Sequence, residues 1–170
     1  MARITQNKRD ERKQGMTMTR DDVMRGTCEH ASRVGELMLQ VINYLQGRAI
    51  CHDASKFTAD EFDSFAEVTP GLNDLTYGSE EYKEQLRKIK PAITIHYQRN
   101  RHHPEHFAGG IADMTLIDLM EMLADWRAAG ERHKDGDLRA SIEKNAERFG
   151  YDDTLKRLLL ITASSLGWIA

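Results

Sequence analysis

Residues 20–47 read RDDVMRGTCEHASRVGELMLQVINYLQG, and the spacing of their apolar side chains predicts the fold class. Thr19, followed by two aspartates in the first turn, is a typical helix start. Gly47 predicts the end of this helix. Between them, residues of one face recur at steps of three and four, which is the period of an amphipathic helix. They are Val23, Thr27, His30, Val34, Leu37, Met38, Val41 and Leu45.

The same period continues along the rest of the chain. Residues 58–61, TADE, form a capping box that predicts a helix burying Phe62 and Phe65. A loop is expected at 69–78, and Ser79 begins a longer helix in which Pro91 marks a kink or restart. Further helices are predicted at about 113–129, 137–149 and 152–166, with no alternating strand pattern. We therefore predict an all-α protein, with one helical domain at 19–170 after a flexible basic arm at 1–18.

Composition excludes several classes of protein. The 170 residues include 24 basic and 27 acidic side chains, a net charge of −3, which argues against a duplex-DNA-binding footprint. The first 15 residues are polar and lack the apolar segment of a secretory signal, and no stretch is apolar enough to predict a membrane span. Two cysteines, Cys28 and Cys51, cannot build a disulfide framework, which indicates a reducing, cytoplasmic environment.

The unusual feature of the composition is its seven histidines, four of which lie between Ile95 and Phe107. His30 lies within an apolar stripe, where it is either a metal ligand or a core histidine bonded to a backbone carbonyl. His96 is in line with Leu86, Ile89 and Ile93, and the pair His102 and His103 follows it. The dyad His52-Asp53 comes directly after an apolar segment, and the two oxygens of Asp53 could contact two ions.

The predicted helix at 113–129 carries Asp118 and Asp125 seven residues apart, so both lie on one face. Glu121 flanks them. This face is either a solvent-exposed acidic stripe or a buried one, in which case each carboxylate needs a cation.

Two strings, AICHDASK at residues 49–56 and LADW at residues 123–126, resemble motifs of the HD superfamily of metal-dependent phosphohydrolases. That all-helical superfamily is named for a His…His-Asp…Asp pattern, and the resemblance covers roughly Thr27 to Ala129. It selects Asp125 over Asp118 as the terminal ligand. The Gly-Tyr-Pro element of its cyclic-dinucleotide-hydrolysing members is absent. The whole chain is also similar to a small uncharacterised family common in phages and bacteria, which implies a bacterial or phage-infected host cytoplasm.

The resemblance implies a ligand set and an activity. One divalent ion would be held by His30, His52, Asp53 and Asp125. A second would be held by His96 and either His102 or His103, and Asp53 would bridge the two ions. The candidate metals are Mn, Fe, Co and Mg. The implied function is hydrolysis of a small phosphorylated substrate, such as a nucleotide, by a metal-activated water. Lys56 and Arg99, helped by Arg101, would hold phosphate charge, and His106 could protonate a leaving oxygen. Lys56 and the arginines could equally be solvated surface residues.

Other functions stay open on the sequence. The same ligands suit a mixed-valent diiron oxygenase of the HD fold. A non-catalytic helical binding module that uses the basic arm is a second alternative, and a zinc site built from Cys28, His30, Cys51 and His52 is a third. Apolar helix faces are compatible with a homodimer.

Overall fold

The computed structural model describes residues 18–72, 75, 79–133 and 136–169. The predicted all-α class is confirmed, because these residues form helices and turns and contain no strand. The basic arm predicted at 1–18 lies outside the described residues except for Met18. Within these residues the seven α-helices are α1 (Arg20–Cys51), α2 (Phe62–Leu72), α3 (Glu80–Lys88), α4 (Lys90–Arg99), α5 (Leu116–Gly130), α6 (Leu138–Phe149) and α7 (Asp153–Ser165). Three short 3₁₀ helices lie at Ala54–Phe57, Pro104–His106 and Gly110–Asp113.

The chain divides into two compact units, one ending at Tyr44 and the other beginning at Leu45. In the first unit, every residue of α1 from Arg20 to Tyr44 is exposed. The second unit has a main apolar core contributed largely by α5, α6 and α7. That core consists of Ile111, Leu119, Met122, Leu123, Leu138, Ile142, Leu159 and Ala163. A smaller core of Val68, Ile89 and Ala92 joins α2 to the α3–α4 region.

Local capping chemistry predicted several helix starts correctly. Thr19 and Asp22 exchange hydrogen bonds at the start of α1, where the Thr19 hydroxyl donates to Asp22 at 2.6 Å. The hydroxyl of Ser79 accepts from the Tyr82 amide at 3.1 Å. Asp137 and Asp152 accept backbone amide hydrogen bonds at the starts of α6 and α7. The chain also restarts as α4 close to Pro91, as predicted.

Gly47 does not end α1, which continues to Cys51. The next residue, Arg48, pairs with Asp118 at 2.9 Å and Glu121 at 2.5 Å. These long-range ion pairs offset the local cost of a glycine inside a helix, about 1 kcal/mol.

Three further expectations about α2 are wrong. The helix continues through residues 69–72, because Leu72 packs against the smaller core. Phe62 is 49% exposed, whereas Phe65 is half-buried against that core, so only one of the two rings packs as predicted. The hydroxyl of Thr58 donates to the Ser55 carbonyl instead of closing a capping box, and Glu61 is buried.

Among the described residues, no helix combines the length and apolar character needed to cross a bilayer.

Candidate metal centre

Asp53 occupies the turn that follows α1. Its backbone is left-handed, with φ of 56°, a conformation that aspartate tolerates better than most residues. The following residues form the 3₁₀ helix Ala54–Phe57, and the Lys56 amide donates to the Asp53 carbonyl at 2.9 Å. This tight turn fixes the Asp53 carboxylate close to the histidines of α4 and of the segment after it.

Four side chains converge there, since Asp53, His96, His102 and His103 each offer one ligand atom within 4.8 Å of the others. Asp53 Oδ1 lies 3.2 Å from His96 Nε2 and 3.4 Å from His102 Nε2. His96 Nε2 lies 3.0 Å from His103 Nε2. Two nitrogens bound to one ion at about 2.0–2.1 Å would have a separation of this order. The described residues therefore contain a group that could hold a metal ion.

Two atoms of this group lack hydrogen-bond partners although they are buried. They are Asp53 Oδ1 and His102 Nε2. Burying such an atom without a partner costs about 1–3 kcal/mol, and a cation that both atoms bind would remove the penalty. The residues therefore fit a divalent metal, whose protein ligands are deprotonated carboxylate oxygens and neutral imidazole nitrogens.

Two carboxylates orient the histidine rings by contacting their Nδ1 atoms. Glu61, which is fully buried, lies 2.8 Å from His96 Nδ1. Glu121 Oε1 lies 3.2 Å from His102 Nδ1 and 2.9 Å from His52 Nδ1. Carboxylates in this position hold the proton on Nδ1 and leave Nε2 free as a ligand, as is common around protein metal sites.

Sequence reasoning missed the roles of both carboxylates. The sequence pattern assigns Glu61 to a capping box and places Glu121 only beside Asp118 and Asp125. The three acidic residues of α5 lie at steps of three and four, which was the available signal for a shared face. The partners of Glu61 and Glu121 are far away in sequence, so the local pattern does not identify them.

A second set of ligand atoms adjoins the first. His52 Nε2 lies 3.7 Å from Asp53 Oδ2 and 3.7 Å from Asp125 Oδ1. His52 also forms a second group with Glu121 and His102 that could hold an ion. Asp53 therefore directs one oxygen toward His96 and His102 and the other toward His52.

The electrostatics of these groups differ: Asp53 and His103 are in the form that binds a metal, whereas His52 must lose a proton to do so. Burial, followed by the nearby imidazoles of His102 and His96, lowers the pKa of His103 to about 3, which keeps its ring neutral. The carboxylate of Asp125 raises the pKa of His52 to about 9 despite burial. Burial alone would raise the pKa of Asp53, but His102, His96 and Lys56 hold it well below its usual range. Asp53 is therefore ionised at neutral pH.

The predicted phosphate-binding cations already have acidic partners. Lys56 Nζ contacts Asp53 Oδ2 at 2.6 Å, with 36% of its side chain exposed. Arg99 pairs with Asp60 at 2.5 Å, and Arg101 pairs with Asp118 at 3.0 Å. His106 Nδ1 lies 3.3 Å from the Tyr97 carbonyl. Of these residues, Lys56 lies closest to the ligand group.

The acidic face of α5 is not a solvent-exposed stripe. Asp118 is fully buried and pairs with both Arg48 and Arg101, while 10% of the Glu121 side chain is exposed. Each buried carboxylate has the cation that burial requires. Asp118 also completes the capping box with Thr115 at the start of α5, and among the described residues it belongs to neither ligand group.

His30 lies in the first unit and is exposed, so the burial expected from its apolar stripe is not observed. Within the described residues it belongs to neither ligand group, and its assignment as a ligand stays a prediction. Cys28 and Cys51 are both free and exposed.

A cleft of about 390 Å³ borders one side of this site. His52, Glu121 and Asp125 line it together with apolar side chains that include Leu45, Met120 and Trp168. Another cavity, of about 420 Å³, lies along α6 and contains none of the ligand-group residues in its lining. The first cleft is therefore the one that adjoins the candidate metal centre.

The fold and the site define an all-α protein with a buried histidine–carboxylate cluster suited to a divalent metal. Residues 19–165 match the model of DUF5662, described as a family of unknown function, and the chain belongs to this family. No curated protein and no solved structure matches the chain.

Proposed function

We propose that this protein is a metal-dependent phosphohydrolase that acts on a small phosphate ester, such as a nucleotide. The observation that carries the proposal is the convergence of Asp53, His96, His102 and His103 around two buried, unpartnered ligand atoms. The resemblance of residues 49–56 and 123–126 to HD-superfamily motifs supports hydrolysis of a phosphate ester as the reaction.

Some residues of the site would bind the metal ions, and others would orient the metal-binding histidines. Asp53, His96, His102 and His103 would hold one divalent ion, and His52, Asp53 and Asp125 would contribute to a second. Ions of this kind lower the pKa of water and offset the negative charge of a phosphate group. Glu61 and Glu121 keep the histidine rings in the orientation that binding requires.

Substrate recognition is assigned to the exposed part of the site. The ammonium of Lys56 lies at the edge of the ligand group and can contact a phosphate oxygen as a point charge. The cleft beside His52 and Asp125 lies within the range of roughly 300–1,000 Å³ for small-molecule sites, and its apolar walls suit a base or another flat group.

The test is a hydrolysis assay with a panel of nucleotides and phosphate esters, supplied in turn with Mn²⁺, Fe²⁺, Co²⁺ and Mg²⁺. The variant Asp53→Asn keeps a residue that tolerates the left-handed backbone while removing the charge. His96→Ala removes a buried ligand, and His133→Ala is the matched control because His133 belongs to neither ligand group.

We expect the wild type and His133→Ala to release phosphate, and both site variants to lose at least about 100-fold in kcat/KM, or about 2.7 kcal/mol in transition-state stabilisation. Absence of metal-dependent phosphate release across the panel would reject the proposal. Turnover by the iron-loaded protein that requires O₂ would instead assign the site to a diiron oxygenase.

A further inference from the structure

The second unit contains a cavity that the proposed function does not use. It has a volume of about 420 Å³ and lies between α3, the C-terminal end of α5 and one face of α6. That volume is within the roughly 300–1,000 Å³ of small-molecule sites. All of its described lining residues belong to the second unit, and none of them belongs to either ligand group. The cavity is therefore a candidate for a second binding site.

Aromatic and apolar side chains form one part of the cavity wall. Trp126 and Tyr82 contribute aromatic rings, and Leu86 and Ala129 contribute apolar contacts. The ring of Phe149 lies nearly parallel to that of Trp126, at an interplanar angle of 6° and a centroid distance of 6.3 Å. Nucleobases stack on aromatic side chains whatever the identity of the base. This part of the wall therefore suits a flat ring system.

A buried amide in the same wall lacks a hydrogen-bond partner. Asn145 is 9% exposed and lines the cavity, and its side chain makes no hydrogen bond to any residue that the structure describes. Most buried polar side chains in proteins have such a partner. The amide offers both donors and an acceptor, a combination with which asparagine binds the edge of a nucleobase. A purely apolar ligand would leave Asn145 unsatisfied, whereas a base would satisfy it.

The charges of the lining favour an anion. Its lysine and arginine side chains are Lys83, Lys144 and Arg148, whereas Asp137 is the one acidic residue among the described lining residues. Asp137 already accepts hydrogen bonds from two backbone amides at the start of α6. Lys144 is exposed and forms no ion pair with a described residue. A phosphate group would gain charge-assisted hydrogen bonds from these cations.

The ion pairs that two of these cations already form do not prevent this. Lys83 and Arg148 each pair with an exposed glutamate at 2.7 Å. Ion pairs between exposed side chains contribute little to stability, because water screens the charges and both side chains lose conformational freedom. A phosphate can therefore compete with these glutamates for the two cations.

We propose that this cavity binds a nucleotide, with its base against Trp126 and Asn145 and its phosphate at Lys83 and Lys144. The proposal does not depend on the function proposed for the metal centre.

The two tryptophans of the chain allow the cavity to be tested separately from the metal centre. Trp126 lines this cavity, and Trp168 lines the cleft beside His52. Trp168→Phe therefore reports on the cavity through Trp126, and Trp126→Phe reports on the cleft through Trp168. Each full-length variant is titrated with AMP, GMP, CMP and UMP while its tryptophan fluorescence is recorded. EDTA is present throughout, so that metal-dependent turnover does not contribute.

We expect at least one of these nucleotides to change the Trp126 emission saturably, with a Kd of about 1 mM or below. The corresponding nucleoside and inorganic phosphate should each bind at least about tenfold more weakly, because each supplies only part of the contacts. A change confined to Trp168 would place the nucleotide in the cleft and overturn the proposal, as would the absence of any saturable change in Trp126 emission. The hydrolysis assay of the wild type tests the metal centre independently.

A substitution of Lys144 tests the phosphate contact. In the Trp168→Phe chain, Lys144→Met keeps an unbranched side chain but removes the charge. Lys88→Met is the matched control, because Lys88 is exposed on α3 outside the lining. We expect the Kd of the tightest-binding nucleotide to rise at least about tenfold in Lys144→Met and to stay unchanged in Lys88→Met. Equal Kd values for the two variants would overturn the proposal.

A substitution of Asn145 separates ligand binding from folding. Asn145→Leu replaces the amide with an apolar side chain of similar size, and no hydrogen bond from this side chain to a described residue is lost. We expect nucleotide binding to weaken at least about tenfold while Tm does not fall. Unchanged nucleotide binding by Asn145→Leu would overturn the proposal.

Discussion

At the scale of single residues, the ligand group depends on two carboxylates outside it, those of Glu61 and Glu121. Glu61 contacts His96 Nδ1 and Glu121 contacts His102 Nδ1, while the Nε2 atoms of both rings lie near Asp53 Oδ1. In each of these two histidines, Nδ1 is therefore held by a carboxylate and Nε2 faces the ligand group. Removal of the Glu61 carboxylate should weaken metal binding because the His96 ring is no longer held in place, although no atom of either ligand group is lost.

Glu61→Gln tests this positioning role. The amide keeps the shape of the side chain but removes one of the two carboxylate oxygens that can accept from His96 Nδ1, so we expect metal affinity to fall about 10–100-fold. Glu67→Gln, an exposed site on α2, the helix that follows Glu61, is the control and should leave affinity unchanged. Competition titration against a metal indicator measures both. Equal affinities for the wild type and Glu61→Gln would exclude the role.

Asp118 has a structural role, and its variant should affect stability in a pH-dependent way. Burial would raise the pKa of Asp118, but hydrogen bonds from Arg101, Thr115 and Arg48 lower it below its usual range. The ionised form thus contributes stability above about pH 4, the pKa of an unfolded aspartate, and this contribution is lost as pH falls through the folded-state pKa.

We expect Asp118→Asn to lower the free energy of unfolding by about 1–3 kcal/mol at pH 7 and by less at pH 2.5, because the wild-type carboxylate is then largely protonated in the unfolded chain. Urea denaturation at both pH values measures the difference. A loss of the same size at pH 2.5 would show that charge is not the cause.

At the scale of elements, local chemistry predicted the helix starts at Thr19, Ser79 and Asp137 but not the end of α1. Thr19, Ser79 and Asp137 each satisfy amides of their own first turn, so their sequence neighbourhood was sufficient to predict them. The passage of α1 through Gly47 depends on Arg48 and its contacts with α5, about 70 residues away, and no local signal contains them.

Gly47 offers a test of that continuous helix. A Cβ at Gly47 would meet no atom within 4 Å, so Gly47→Ala should raise the free energy of unfolding by about 0.5–1 kcal/mol. Gly150 ends α6 with φ of 68°, and Gly150→Ala should lower the same quantity because alanine strains there. Thermal or urea unfolding measures both. A destabilising Gly47→Ala would indicate that α1 is not helical at that position.

At the scale of the whole molecule, the sequence predicted the all-α class and named the residues that converge, but it did not predict how they are supported. His52, Asp53, His96, His102, His103 and Asp125 were all candidates from residue type and order. The choice between His102 and His103 was left open, and both lie in the ligand group. Spacing alone could not resolve this, because the loop after α4 has no periodicity from which to infer side-chain direction.

A metal that binds this cluster should stabilise the fold as a whole. A ligand that binds only the folded state adds about 2.7 kcal/mol at a concentration 100 times its Kd, and for a chain of this size we expect Tm to rise by about 5–10 °C. Differential scanning calorimetry with Mn²⁺, and again after chelation, measures the shift. His102→Ala should abolish it, and a shift that persists in His102→Ala would place the ion elsewhere.

The most direct measurement is the metal content of the protein by mass spectrometry after dialysis against Mn²⁺ and removal of the free ion. We predict at least one tightly bound ion per chain in the wild type and in His133→Ala, and substoichiometric metal in His102→Ala and Asp53→Asn. A wild-type protein that retains no metal, or variants that retain as much as the wild type, would contradict a metal centre at Asp53, His96, His102 and His103.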